Sequence, residues 1–134
     1  MLRSVIRLCA LGLVVAACFC AAPASAAPHV DWRTTGCYFD DGEKPVVVGH
    51  FVNDGSDPVL ISRLRISVYL QKGPGDPVLI AAGVLDRIDT VLRPGERTRA
   101  IRLRFADYDG KAGSFDRCLT RGDVTYRLFR GADV

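Results

Sequence analysis

Beyond the initiator Met1 the chain has no methionine, so thioether copper ligation has nothing to work with once a leader is removed. Histidine is almost as scarce: His29 and His50 are the two present. No G-x-S-x-G accompanies them, and a serine nucleophile with a histidine base is unsupported. The two glutamates, Glu43 and Glu96, both fall in turn-like sequence. Glycosidase chemistry needs two acids across a cleft, and these do not supply that pattern. There is no C-x-x-C, which removes a dithiol redox site. After residue 26 no stretch has a 3.6-residue apolar period, and no apolar run is long enough to cross a bilayer as a helix. These absences point to a protein that is not an enzyme and calls for no cofactor.

What is present begins with a leader. Arg3 and Arg7 precede an apolar core from Leu8 to Ala17, and Ala24-Ser25-Ala26 reads as an A-x-A cleavage site. Residues 1–26 are therefore expected to be a bacterial-type signal peptide, leaving 27–134 as one domain in the periplasm or outside the cell. A competing reading makes Val15-Ala16-Ala17-Cys18 a lipoprotein signal, with Cys18 lipidated as a membrane anchor. Cysteine parity favours the first. Cleavage after Ala26 removes Cys9, Cys18 and Cys20 and leaves Cys37 and Cys118, an even pair suited to an oxidising compartment. A bridge between them closes a loop of about 80 residues. Cleavage also sets His29 third from a free amine, as in N-terminal copper sites. Pro28 lacks the N–H that such a site must ionise, so that site is not expected.

Losing Arg3 and Arg7 lowers the formal charge from +3 to about +1. Export and near-neutrality both argue against nucleic acid as a partner.

The longest strand-like run is Val59–Gln71, VLISRLRISVYLQ. Leu60, Leu64, Ile66, Val68 and Leu70 are expected on an apolar face, with Ile61, Arg63, Arg65, Ser67, Tyr69 and Gln71 on the other. Around it, Val30–Phe39 (broken near Gly36), Pro45–Asn53, Val78–Leu85, Ile88–Leu92, Arg97–Phe105 and Val124–Arg130 also read as strands. In the last of these Val124, Tyr126 and Leu128 fall opposite Thr125, Arg127 and Phe129. Turn signals rich in Gly, Asp and Pro separate them. About seven short strands of this kind predict an all-β, Ig-like or fibronectin-like antiparallel sandwich.

Three short pieces carry a family resemblance. Gly49-His50-Phe51-Val52-Asn53 resembles the G-x-V-x-N strand of the FxLYD family of bacterial extracytoplasmic domains. Ile66-Ser67-Val68-Tyr69-Leu70 is similar to the F-x-L-Y-D signature, with Leu70 in place of the Asp. Leu92-Arg93-Pro94-Gly95-Glu96 resembles that family's L-x-P-G-E turn. The resemblance spans roughly 45–105. It implies an Ig-like sandwich at the cell envelope and carries no catalytic residues.

Arginine is abundant, 15 against 3 lysines. Arg63 and Arg65 are expected on the outer face of the third strand. Arg102 and Arg104 are expected on that of the sixth, with Arg97 and Arg99 at its start. If those strands shared one sheet, the rows would merge into a basic face for a phosphorylated lipid, an acidic polysaccharide or an acidic protein. Asp107, Asp109 and Asp116 offer hard oxygens to calcium without EF-hand spacing. Two functional expectations follow. One is an interaction domain that binds another protein through a sheet face or edge, as accessory or chaperone-like subunits do. The other is a binder of an anionic envelope ligand through the arginines.

Overall fold

The computed structural model describes residues 27–110 and 113–131. The expected leader, the expected cleavage site and Cys18 lie outside the described residues. Seven strands follow in order: β1 (Val30–Phe39), β2 (Pro45–Asn53), β3 (Val59–Gln71), β4 (Val78–Leu85), β5 (Thr90–Leu92), β6 (Ile101–Arg104) and β7 (Arg117–Leu128). They form two antiparallel sheets, β1-β2-β6 and β4-β3-β5 with β7 paired to β3. The chain is therefore an all-β sandwich. β3 is the centre of its sheet. β7 runs along one side of it from Val59 to Gln71, while β4 and β5 share the other side.

The core lies between the sheets. Val47 and Phe51 of β2 meet Val59, Ile61, Leu64, Ile66 and Val68 of β3. Each such side chain contributes about 1.5–3 kcal/mol on burial. The buried set on β3 changes phase after Ile61. The cause is an irregularity in its pairing with β7 between Ile61 and Arg63, where Ser62 is an extra residue. A one-residue insertion moves every later side chain to the opposite face. The expected grouping of Leu60 with Leu64 is thus corrected: Ile61 is fully buried and Leu60 only half-buried.

Three boundaries also differ from expectation. β5 begins at Thr90 rather than Ile88 because Asp86–Asp89 loops out, with Arg87 and Asp89 at φ 54° and 49°. β6 shrinks to Ile101–Arg104; Arg97 makes only an isolated bridge to Val52, and the Thr98 hydroxyl is spent accepting from the Phe51 N–H at 3.0 Å. β7 starts at Arg117, well before Val124, since β3 is long enough to pair with all of it. Leu128 is 38% exposed where that pairing ends.

One side of the sandwich is closed by three rungs between β1 and β7. Cys37 and Cys118 form the expected disulfide, with Cα atoms 5.8 Å apart. The Thr34 and Thr120 hydroxyls lie 2.6 Å apart. The Trp32 indole occupies the space that a side chain at Gly49 or Gly122 would need. It meets Phe51 edge-on at 5.2 Å and donates to Thr34 at 2.9 Å. A pairing irregularity between Thr34 and Gly36 makes Thr35 an extra residue in β1. That insertion puts Trp32, Thr34 and Cys37 on the same inner face although their spacing is 2 and then 3.

Asn53 is fully buried at the end of β2. Its amide donates to the Asp57 and Leu92 carbonyls at 2.8 and 2.9 Å, and its side-chain oxygen accepts from the Gly55 N–H at 3.0 Å. Gly95 at φ 80° closes the Leu92–Glu96 turn, and its N–H donates to the Asn53 carbonyl at 2.8 Å. The asparagine thus ties two distant turns to one strand end.

Candidate functional site

The side opposite the disulfide is open. There the outer strands β4 and β6 flank a groove of about 530 Å³. Ile66, Ile80 and Leu85 line it from one sheet, and Leu103 and Phe105 from the other. A Cβ on Gly83 would come within 3.2 Å of the Phe105 ring, so the glycine lets that ring lie against β4.

β4 pairs with β3 on one side, and its other edge meets no strand among the described residues. Its sequence, VLIAAGVL, carries no charge. Val78, Leu79 and Val84 are 63%, 54% and 51% exposed. Native proteins commonly shield such an edge with lysine, proline or a bulge. Here Pro77 precedes the strand and Ile80 is a bulged residue, since Val68 pairs with Ala81 and Tyr69 with Leu79. The run from Ala81 to Leu85 remains regular and unshielded. Sequence reading recognised the strand but not its edge position, because pairing order is not written in a local pattern. Its lack of charge was the signal available.

The six arginines do not form one patch. β3 and β6 lie in different sheets, so their outer faces point away from each other. Arg63 and Arg65 sit on one outer face and Arg102 and Arg104 on the other, all exposed. Arg63 and Arg104 pair with Asp86 and Asp40, each at 2.5 Å. Arg102 donates to the Tyr38 hydroxyl at 3.4 Å. Arg97 and Arg99 are exposed before β6. Arg102 and Arg104 stand at the groove. Arg104, with the Lys44 and Gly42 N–H groups, holds the Asp40 carboxyl below its usual range.

The calcium trio does not converge among the described residues. Asp107 and Asp109 are exposed, and the Asp116 carboxylate accepts from the Gly73 N–H at 2.5 Å. That bond ties Asp116 to the turn after β3. The ligand atoms that do gather are those of His29, Asp31 and Asp54, all within 4.8 Å. His29 and Asp31 share a face at the start of β1, and Asp54 follows β2. His29 bonds Asp54 and lies 3.4 Å from Asp31; Arg33 is 3.9 Å from Asp54. Bonding to Asp54, then the charge of Asp31, raises the His29 pKa. The Asp54 pKa is lowered in turn, chiefly by that bond. The group reads as an ion-pair clasp holding the residues before β1 against the β2–β3 turn.

No family model matches the chain, and no curated protein matches it. Among solved structures it is similar to β-glucosidase 3B from Thermotoga neapolitana, in complexes with glucose and with α-D-glucose. In both the identity is 16%, the match covers 79% of this chain and 17% of that one, and the TM-score is 0.30. The chain thus spans under a fifth of that enzyme's length, and a score this low carries no argument about activity.

Proposed function

We propose that the protein is a non-catalytic interaction domain exported to the cell envelope, which binds an extended segment of another protein along the free edge of β4. The observation that carries this reading is the uncharged, exposed strand Val78–Leu85 beside an apolar groove. A strand added to such an edge gains backbone hydrogen bonds, and its alternate side chains enter the neighbouring groove. Leu103 and Phe105 would receive apolar side chains there, and Arg102 an acidic one. An accessory or chaperone-like role follows from that mode of binding. Export is supported by the leader reading and by the disulfide, which suits an oxidising compartment. The FxLYD resemblance supports an envelope setting.

Site-specific photo-crosslinking in living cells tests the proposal. A photoreactive residue replaces Leu79 or Val84, and a control replaces exposed Asp41 in the turn between β1 and β2. The expected result is a discrete adduct with a second protein from the β4 positions alone, lost when Ala82→Lys is added. Adducts from Asp41 but not from β4, or none at all, would sink the edge-binding reading. Salt-sensitive capture of anionic lipid by the wild type, lost in Arg63→Ala/Arg65→Ala, would move the function to the arginines instead.

A further inference from the structure

We infer that β4 also pairs with β4 of a second copy, giving a twofold-symmetric dimer that covers the edge when no partner strand occupies it. This rests on the reading of β4 as a docking edge and names one occupant of it.

The argument is the pattern of β4 under a twofold axis. An isologous interface must be complementary to itself. In an antiparallel pair of like strands, the first half of one meets the second half of the other. The middle of β4 is Ala81-Ala82-Gly83, and its ends are Val78-Leu79 and Val84-Leu85. Small side chains therefore meet at the axis, and the bulky ends of one copy meet the bulky ends of the other. No charge lies in the strand, so like charges are never opposed, which would otherwise penalise self-pairing.

The bulge makes this match work. Leu79 pairs with Tyr69 and Val84 pairs with Arg65, and Tyr69 and Arg65 both lie on the outer face of β3. In a regular strand, positions 79 and 84 would face opposite ways. The extra residue at Ile80 puts both on the outer face. Leu79 of one copy then stands beside Val84 of the other, twice across the axis. These two are among the most exposed apolar side chains of the described residues, at 54% and 51%. Pairing covers both and joins two four-stranded sheets into one.

Sedimentation of the exported protein, purified from the envelope, tests the inference across a wide concentration range. The expected result is a reversible monomer–dimer equilibrium. Val84→Lys weakens it about tenfold or more by placing a charge beside Leu79 of the other copy. A second test reports geometry. Leu79→Cys protein mixed with Val84→Cys protein crosslinks on mild oxidation far faster than either variant alone. A monomer at every concentration, a dimer indifferent to Val84→Lys, or no preference for the mixed crosslink overturns the proposal. Those failures leave the in-cell adducts untouched, so self-pairing and partner binding are judged separately.

Discussion

At the residue scale, the glycines under Trp32 show how a missing side chain shapes a fold. A Cβ at Gly122 would stand 2.7 Å from the Trp32 Cδ1, with the Trp32 Cβ and Cγ at 3.0 Å. The ring has little room to yield, since it also packs on Phe51 and bonds Thr34. Gly122→Ala is expected to cost about 1–3 kcal/mol by overpacking, read as a lowered urea midpoint at unchanged slope. Gly113→Ala, with nothing within 4 Å, serves as the near-neutral control. The His29 clasp yields a pH prediction. Asp54 and then Asp31 raise the His29 pKa, so its contribution is fully present below the unfolded value near 6.5. It is lost as pH rises through the higher folded value. The lowered pKa of Asp54 works the other way: its contribution is present above the unfolded value near 3.8 and is lost as pH falls through the folded one. The clasp is therefore tightest at mildly acidic pH. Titration by NMR should find His29 above 6.5 in the wild type and lower in Asp54→Asn. An unchanged value in the variant would show that Asp54 is not the main cause.

At the scale of elements, bulges decide which side chains face the core. Thr35 is the extra residue that lets Trp32, Thr34 and Cys37 all point inward. Deleting it forces a choice between Trp32 and Cys37. The expected outcome is either free thiols, counted by alkylation and intact mass, or a solvent-exposed Trp32, seen as red-shifted emission. A deletion variant that keeps both the bridge and a buried indole would show that the bulge does not set the phase. The same devices mark where sequence reading succeeded and where it stopped. Alternation and turn residues located β1 to β4 to the residue, because Gly, Asp, Asn and Pro punctuate them. The phase slip at Ser62 was hidden, since Leu60 and Ile61 are both apolar and either can face inward. β7 was read short because its first half, Arg117–Asp123, mixes polar residues with Cys118, Leu119 and Gly122 and owes its extended form to β3. The free edge of β4 and the separation of the arginine rows depend on sheet order, which no local pattern records. The clasp was missed because its ligand atoms come from two segments that are apart in sequence and meet through the pairing of β1 with β2.

At the scale of the whole molecule, the two sides of the sandwich are unequally fastened. The β1–β7 side is fastened by the disulfide, the threonine pair and the buried indole. Among the described residues, the β4–β6 side carries the apolar groove between its edges, with the Phe105 ring against Gly83. Binding energy is best used where the protein has not already filled its own contacts, which is why the proposal places a partner strand on the open side. Under the proposed edge binding, the disulfide on the fastened side also bears on function. The bridge joins residues 81 apart in sequence. In the chain-entropy model, closing a loop of that length stabilises the fold by about 4 kcal/mol, against a typical total of about 5–15 kcal/mol for a domain. Reduction should therefore remove a large part of the stability and loosen the fastened side, after which the open groove loses its fixed walls. The measurement is urea unfolding with and without reductant, alongside crosslinking yield at Val84. The expected result is a drop of several kcal/mol accompanied by loss of the adduct. If stability falls but the adduct persists, the β4 edge recognises its partner without the sandwich behind it. If stability hardly changes, the threonine pair and the indole over its two glycines are enough to hold the sheets together.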